Sequence, residues 1–381
     1  LGLKKHIRPE VKENKFEEEQ QVLVKKKKEE KSFPSYQTGL FEGPLPPSYS
    51  PGSIGTEYIV VILIDFTNKE FASDKDQSYY WNLLFNESNS DSLNSYYKEV
   101  SYGKLNVTGI VTPVVNSSKT MEYYGADGPP DTCYRTDGKN GCIYELAREA
   151  VQLANPNIDF SQYDKDSDGK VDHLIIVHAG NDQSGTGVSN DIWSHQWYIY
   201  PSPGELVDGK YAYKYVMLAE TSPMGTTAHE FGHDLGLPDL YNTATGEYVV
   251  GYWDLMDIGS WGGSPQGTKP VHISAWGKIQ LGWITPTIVN GIISTNINQI
   301  ETNSEAYRLE DIWLNLSKEY FLVENRQKTG FDTGLPSGYN TGLVIWHIDN
   351  KQGDNNGATK MVYPELAGGS LATAPFASNY G

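Results

Sequence analysis

The chain has 381 residues and a formal net charge of −18 at pH 7. Its length suggests about two domains, and hydrophobic residues at 38% can form a sizeable core. Because residues 1–31 carry an excess of three positive charges, the rest of the chain carries −21, which disfavours nucleic acid and anionic membranes as partners. The longest apolar run, within residues 58–66, is far shorter than the roughly 20 residues of a membrane-spanning helix.

Residues 1–55 differ in composition from the chain that follows. Blocks of Lys and Glu fill residues 1–31, and a stretch rich in Pro, Ser and Gly follows at 33–55. This composition predicts a charged N-terminal extension and a linker. We interpret the extension as a candidate pro-segment.

Residues 56–283 show strand and helix signals in turn. Strand signals fall at 58–66, 173–178 and 211–218, and helix signals fall at 92–100 and 145–153. The order predicts an α/β (α+β) fold. The alternating segment 211–218 has two interpretations, a strand that lines a cleft and pairs with an extended peptide, or an ordinary strand of the sheet.

Residues 284–381 show a different pattern. Short β-type runs, such as 320–324 and 343–348, are separated by Gly, Asn and Thr. This predicts a β-rich C-terminal portion. No internal repeat of fixed period is visible, which disfavours solenoids and propellers.

Cys133 and Cys142 are the only cysteines of the chain and lie nine positions apart in a segment rich in Gly, Asp and Asn. They are close enough in the chain to close a small loop, so we predict a disulfide bond and an oxidising compartment. The alternative is two unrelated thiols.

The most informative segment is His-Glu-Phe-Gly-His at 229–233. Residues four apart on a helix are rotated by only about 40°, so the imidazoles of His229 and His233 can converge on one metal ion. Ser222 is the predicted N-cap with Pro223 as the first helical residue, and Gly236 is the predicted stop. A separate stripe is predicted to face the core: Ala228, Phe231, Gly232 and Leu235.

Asp239 is predicted to supply a third ligand after Gly236 ends the helix. Three protein ligands leave one position for water, as in catalytic zinc sites, and Glu230 is placed to take a proton from that water. Asp239 has two alternative roles, an acid that holds a ligand imidazole or a turn residue. Other acids are held in reserve as ligands: Glu247, Asp254 and Asp257.

The segment 229–239, HEFGHDLGLPD, resembles the long zinc motif of the metzincin metalloproteases with Asp in the third ligand position. Downstream, 253–257 with 259–261 is similar to the Met-turn that lies beneath the metal in those enzymes. This resemblance assigns the Met-turn methionine to Met256, for which the alternative is an ordinary core methionine.

Four further segments resemble the immune-inhibitor-A type of secreted bacterial proteases: 92–109, 164–180, 191–197 and 319–349. The resemblance implies a metzincin-like catalytic domain with a mixed twisted sheet and an active-site helix. It also implies a secreted zinc endopeptidase that is made as a precursor and binds calcium. The loop between the two cysteines is not part of the family pattern.

A calcium loop is predicted shortly before the strand at 173–178. Its spacing resembles the first nine positions of an EF-hand, but Ile175 stands where an EF-hand has its bidentate Glu. The alternative is an acidic, solvent-exposed turn. The proposed ligands are the carboxylates of Asp164, Asp166, Asp168 and Asp172 and the backbone carbonyl of Lys170.

Several other residues are weaker candidates. His195 and His347 occupy positions that resemble the family, and we predict hydrogen-bonded structural roles for both. One of three tyrosines, Tyr241, Tyr248 or Tyr252, could stabilise an oxyanion, and the sequence does not choose among them. Asp349, Asp354 and Asn356 form a second cation candidate, for which an ordinary loop is the favoured interpretation.

These features together predict a secreted endopeptidase that uses one catalytic zinc ion and at least one structural calcium ion and acts on polypeptide substrates. The sequence does not determine its oligomeric state, for which a monomer is the favoured interpretation. One alternative is a catalytically silent, protease-like module for calcium-dependent binding or adhesion. A second alternative is another class of zinc protease, in which a Glu on a later helix completes the metal site.

Overall fold

The structure of the protein is a computed structural model that describes residues 53–125, 143–310 and 318–365. The predicted Cys133–Cys142 disulfide and residues 1–52 of the predicted extension lie outside the described residues. Among the described helices, none combines the length and the apolar composition that a membrane span requires.

The first sheet is mixed and has the strand order β2-β1-β4-β8-β5, with the short β3 also paired to β1. All pairings are parallel except that of β5 with β8, which is antiparallel. A small hairpin, β6–β7, precedes β8. The bounds are β1 Gly55–Asp65, β2 Leu105–Val111, β3 Val115–Asn116, β4 His173–His178, β5 His195–Tyr198, β6 Glu205–Val207, β7 Lys210–Ala212 and β8 Lys214–Ala219.

Strands β1 and β4 are buried on both faces, as their continuous apolar runs predict. Alternate residues of β1 point into two separate cores because successive side chains of a strand face opposite sides. Ile59, Val61 and Leu63 belong to one core, and Val60, Ile62 and Ile64 belong to the other. The predicted strands at 58–66 and 173–178 are confirmed.

Helices cover both faces of this sheet. Two of them, α2 and α6, pack in the core that contains Ile59, and α4 packs in the opposite core. The predicted helices at 92–100 and 145–153 are confirmed, and the side chain of Ser92 caps α2 by accepting a hydrogen bond from the Ser95 amide. The bounds are α1 Gln77–Leu84, α2 Leu93–Val100, α3 Met121–Gly125, α4 Ile143–Ala154, α5 Gln183–Thr186, α6 Met224–Asp234 and α7 Ala275–Gln280.

The single strand predicted at 211–218 is wrong, because the chain divides between β7 and β8 at Tyr213. Strand β8 is paired on both sides, with β4 and β5, and its last five residues are all buried. Tyr211 lies in β7 and Tyr213 lies between the two strands, and both side chains are half-buried. Because both of its edges are paired, β8 offers no edge to an extended peptide, which favours the interpretation as an ordinary strand of the sheet. Among the described residues, the last strand on this side of the sheet is β5.

The C-terminal portion forms a second sheet of five strands, which confirms its predicted β-rich character. Its order is β13-β12-β11-β10-β9, and only β9 and β10 are parallel. Leu322 and Trp346 belong to the same hydrophobic core as Phe231 of α6, so this core crosses the predicted boundary at 283/284. The bounds are β9 Thr287–Val289, β10 Tyr307–Leu309, β11 Glu319–Arg326, β12 Gly342–Asp349 and β13 Val362–Pro364.

Candidate metal centre and cleft

Helix α6 carries the His-Glu-Phe-Gly-His segment, and its end was predicted better than its start. Gly236 follows the last turn with φ +103, which confirms it as the stop. The prediction that Ser222 is the N-cap is wrong, because Pro223 occupies that position. The Ser222 hydroxyl instead accepts a hydrogen bond from the Ala219 amide at 2.9 Å and lies 2.9 Å from a carboxylate oxygen of Asp182.

The predicted core face of α6 is confirmed: Ala228, Phe231, Gly232 and Leu235 are all buried. The Tyr97 hydroxyl donates a hydrogen bond to the Ala228 carbonyl at 2.6 Å and ties α6 to α2. A Cβ atom at Gly232 would lie 2.7 Å from the sulfur of Met256. Met256 therefore packs directly against the helix that carries the two histidines.

His229, His233 and Asp239 converge on one point. The Nε2 atoms of His229 and His233 lie 3.3 and 2.9 Å from the same carboxylate oxygen of Asp239. Each Nδ1 lies within hydrogen-bond distance of a carbonyl oxygen, Leu255 at 2.9 Å and Leu237 at 2.8 Å. Since a carbonyl accepts only from a protonated nitrogen, both Nδ1 atoms carry hydrogen, and the Nε2 atoms are the ring nitrogens that face Asp239.

Two backbone hydrogen bonds hold Asp239 in this position. The Leu237 amide donates to the Gly232 carbonyl at 3.0 Å and folds the chain back against the end of α6. The Leu240 amide donates to the Met256 carbonyl at 2.8 Å. Asp239 is thus fixed between the helix and the turn that contains Met256.

The three reserve acids do not join this group. Glu247 is exposed. Asp254 is fully buried and accepts hydrogen bonds from the amides of Met256 and Ser274, both at 2.7 Å. Asp257 is buried and accepts from four amides, those of Val249, Val250, Gly251 and Ile258. Asp254 and Asp257 therefore shape the turn around Met256.

A cleft opens over the three converging residues. Glu230, on α6 beside His229, lines it and is 8% exposed. Tyr241 and Tyr248 also line the cleft, whereas Tyr252 packs its ring 5.4 Å from that of Tyr339. Its walls are largely aromatic and polar and include Trp193, His195, Gln196, Thr226 and Trp261.

The charges in the cleft favour a cation. Burial acts to lower the pKa of His229, but the hydrogen bond to Asp239 and the charges of Glu230 and Asp239 raise it to about 9. Burial, together with the charges of Asp239 and Glu230, raises the pKa of Tyr241 well above its usual value, so its phenol stays protonated. Burial raises the pKa of Asp257 to about 7, against the lowering effect of its amide donors.

Sequence reasoning missed Asp182, which ties the two walls of the cleft together. Its buried carboxylate accepts hydrogen bonds from the Ser194 hydroxyl at 2.7 Å, next to β5, and from the Ser222 hydroxyl at 2.9 Å, before α6. It also accepts from the Ser184 amide at 2.9 Å and caps α5. The spacing of Asp182 and Ser184 is a local capping signal, but the long-range contacts have no sequence signature.

The two other histidines predicted to be structural both have hydrogen-bond partners. In His195, Nδ1 lies 2.7 Å from the Trp193 carbonyl and Nε2 lies 3.0 Å from the Tyr215 hydroxyl. His347 lies on β12 in the second sheet, with its Nδ1 2.7 Å from the Tyr363 hydroxyl.

The predicted calcium loop brings together three of its four carboxylates. Oxygens of Asp164, Asp166 and Asp172 lie within 4.8 Å of one another. Asp168 forms an ion pair with the ammonium of Lys170 instead. The side chain of Asp164 has no exposed surface; its Oδ2 pairs with the Lys210 ammonium at 2.5 Å, whereas its Oδ1 has no hydrogen-bond partner. This buried, unpartnered oxygen is the feature that an oxygen-coordinated cation would satisfy.

The weaker second cation candidate does not form such a group within the described residues. Asp349 accepts a hydrogen bond from the Lys351 amide, and Asp354 accepts one from the Asn356 amide, both at 2.9 Å. These local turns fit the ordinary loop that was the favoured interpretation.

Comparison with known proteins places this arrangement in a family. Residues 49–284 match the model of the immune inhibitor A peptidase M6 catalytic domain. The chain is 32% identical over 281 residues to the pre-pro-metalloprotease PrtV of Vibrio cholerae serotype O1 (strain M66-2), over 60% of this chain and 30% of that protein. It is 30% identical over 276 residues to immune inhibitor A of Bacillus thuringiensis subsp. alesti, over 60% of this chain and 40% of that protein.

The chain thus spans less than half the length of these two relatives. The family model, in contrast, covers more than half of the chain, including α6 and the segment with Met256. The resemblance predicted from the sequence is therefore confirmed, and the chain belongs to the immune inhibitor A family of M6 peptidases.

Proposed function

We propose that this protein is a secreted, zinc-dependent endopeptidase that hydrolyses peptide bonds in polypeptide substrates. The observation that carries the proposal is the convergence of His229, His233 and Asp239 at the floor of a cleft, with Glu230 beside them. Membership of a peptidase family supports the proposal, and one relative, PrtV, is named as a metalloprotease. Secretion and synthesis as a precursor rest on the family resemblance.

The donor set fits zinc. Two imidazole nitrogens and one carboxylate oxygen match the ligand types of catalytic zinc sites, which keep a further position open. When bound, zinc would act as a Lewis acid and would lower the pKa of a coordinated water molecule. The carbonyl oxygens of Leu255 and Leu237 would keep both imidazoles in the orientation that ligation needs.

We assign the proton transfers to Glu230. Its carboxylate lines the cleft next to His229 without belonging to the converging group, so it is available to accept a proton from the attacking water. The same carboxyl group can then deliver the proton to the leaving amine. Tyr241 keeps its phenolic proton and is the tyrosine we propose as a hydrogen-bond donor to the developing oxyanion.

We further propose that an extended substrate peptide lies along β5. This strand is the last in the sheet order, and His195 and Gln196 contribute to the cleft wall. A strand in this position can align a peptide backbone across α6, while the aromatic walls contact its side chains.

Digestion of casein by the purified chain, with and without 1,10-phenanthroline, tests this function. Cleavage should stop when the chelator removes the metal and should return when zinc is added back. Cleavage that ignores the chelator contradicts zinc-dependent hydrolysis. A zinc-loaded protein that cleaves neither casein nor gelatin favours the alternative of a catalytically silent binding module.

Replacement of Asp239 by Asn is expected to weaken zinc binding by at least about 100-fold, because the substitution removes the charge of a direct ligand. Competition with a chromogenic zinc chelator measures the affinity. Glu247→Gln is the matched control, since Glu247 is an exposed acid on the same segment and should leave the affinity unchanged. Weaker zinc binding in Glu247→Gln, with unchanged binding in Asp239→Asn, would identify Glu247 as the third ligand.

We propose that the loop of Asp164, Asp166 and Asp172 binds a structural calcium ion. At a calcium concentration 100 times Kd, a ligand that binds only the folded state stabilises it by about 2.7 kcal/mol. The melting temperature should therefore rise by several degrees in calcium, and Asp164→Asn should abolish the rise. Asp74→Asn, which changes an exposed acid outside the loop, should preserve it. A calcium effect that survives Asp164→Asn would contradict the site.

A further inference from the structure

A buried group of charged side chains lies against the last turn of α6, and the proposed chemistry does not use it. Asp234 is 3% exposed, forms a hydrogen bond with His173 Nδ1 and has its Oδ1 3.1 Å from the Lys214 ammonium. Glu57 is 2% exposed and lies on the other side of His173, with its Oε2 3.8 Å from Nε2. We term this group the anchor cluster; its members are Glu57, His173, Lys214 and Asp234.

The anchor cluster holds the turn that carries one of the proposed zinc ligands. Asp234 directly follows His233 in α6, and the Lys214 ammonium also donates to the Asp234 carbonyl at 2.7 Å. The ring of His173 lies 5.4 Å from the ring of Phe231 in the same turn. The first residues of β4 and β8 thus fix the position of the helical turn that presents His233.

The acidic loop is connected to the anchor cluster at both of its ends. At its end, Asp172 is followed directly by His173. At its start, the Lys165 ammonium lies 2.7 Å from a carboxylate oxygen of Glu57 and donates to the Thr56 carbonyl at 3.0 Å. The Lys165 amide also donates to Asp172 at 2.8 Å, which closes the loop on itself.

The contacts between the acidic loop and the anchor cluster depend on whether a cation neutralises the carboxylates of the loop. The three carboxylates lie within 4.8 Å of one another, and the ion pair between Asp164 and the Lys210 ammonium offsets one of their three negative charges. The repulsion that remains is relieved when a divalent cation lies among them. Opening of the loop would withdraw the Lys165 ammonium from the buried carboxylate of Glu57. The loss of a charged partner from a buried carboxylate strongly destabilises the folded state. A cation that closes the loop therefore keeps Lys165 and His173 against the anchor cluster.

We infer that a divalent cation in the loop of Asp164, Asp166 and Asp172 increases the affinity of the His229, His233 and Asp239 site for zinc. The inference rests on the proposed zinc and calcium sites. Lys165 and His173 are positioning residues in this scheme, because they act on zinc through the anchor cluster. Linkage requires reciprocity, so zinc must increase the affinity for calcium by the same factor.

The test measures zinc affinity of the full chain by competition with a chromogenic zinc chelator, in the presence and absence of calcium chloride. Zinc binding should tighten by about 5- to 150-fold in calcium, the range of ordinary coupling between sites. The converse titration measures calcium affinity with and without zinc by calorimetry. The two factors must agree.

Four variants test whether the coupling between the two metal sites passes through the anchor cluster. Lys165→Met changes a half-exposed side chain and should bring the coupling factor close to one, while calcium still raises the melting temperature. His173→Phe should have the same effect, whereas His173→Asn, whose amide can replace the Nδ1 donor, should restore coupling. Lys98→Met is the matched control, because its ammonium pairs with exposed Glu87 outside both metal sites and should leave the factor unchanged.

The outcomes separate this inference from the proposals beneath it. Zinc affinity that is indifferent to calcium, in a protein whose melting temperature calcium raises, overturns the coupling and leaves both sites intact. Full coupling in Lys165→Met and His173→Phe overturns the route through the anchor cluster. Absence of any calcium effect on melting overturns the calcium site and this inference with it, and absence of zinc binding contradicts the proposed function itself.

Discussion

Glu230→Gln is expected to lower kcat/KM for peptide hydrolysis by roughly 100- to 10,000-fold, the usual contribution of a general base. Gln has nearly the same shape as Glu but does not accept the proton. Because Glu230 is not one of the converging residues, the zinc content should stay at the wild-type level. Initial rates on casein and metal analysis of the same preparation measure both quantities.

Glu87→Gln is the matched control for this experiment, since Glu87 is exposed and pairs with Lys98 on the surface. Its rate should equal that of the wild type. A Glu230→Gln protein with undiminished activity would remove Glu230 from the mechanism. Loss of zinc in the same variant would make Glu230 a ligand instead.

Arg326→Met is expected to destabilise the folded state more than any of the other substitutions named. Arg326 has no exposed surface, and its guanidinium bonds both oxygens of Asp332, at 2.6 and 2.8 Å, and the Trp253 carbonyl at 2.7 Å. Glu324, also fully buried, lies 3.3 Å from the same group. Burial acts to raise the pKa of Asp332, but the Arg326 charge holds it well below its usual range.

Removal of this cation would leave Asp332 and Glu324 buried without it, so the free energy of unfolding should fall by about 3 to 5 kcal/mol. The midpoint of urea denaturation reports the change. Lys351→Met breaks an exposed ion pair with Glu319 of the same sheet and should leave the midpoint close to that of the wild type, because exposed ion pairs contribute little to stability. Equal midpoints for the two variants would contradict the assigned role of Arg326.

The contacts of Arg326 also explain why the second sheet belongs structurally with the metal centre. Arg326 donates a hydrogen bond to the Trp253 carbonyl. Trp253 directly precedes Asp254, which accepts a hydrogen bond from the Met256 amide. Met256 in turn packs against Gly232 of α6. The floor beneath the candidate zinc ligands is therefore held partly by β11, which lies beyond the residues that the family model covers.

The parts of the site that follow from local geometry could be predicted from the sequence. The spacing of His229 and His233 and the stop at Gly236 depend on helix periodicity and backbone freedom alone. Asp239 follows within a few residues of that stop, so its range of positions is narrow. The buried runs that form β1 and β4 are equally local signals.

Features that depend on distant partners could not be predicted in this way. Ser222 has the composition of an N-cap, but its hydroxyl is engaged with Asp182, 40 residues away in the chain. The pairing of His173 with Asp234 spans 61 residues. The alternation across residues 211–218 reveals neither the division between β7 and β8 at Tyr213 nor the pairing of β8 on both sides, because both features depend on other strands of the fold.

X-ray diffraction on crystals of the zinc-loaded protein, with anomalous data collected on both sides of the zinc absorption edge, tests the central claim most directly. The account predicts one strong anomalous peak between the Nε2 atoms of His229 and His233 and the carboxylate of Asp239, with Glu230 outside the bonded group. A peak bonded to a carboxylate other than Asp239, or the absence of a peak between the two imidazoles, would contradict it.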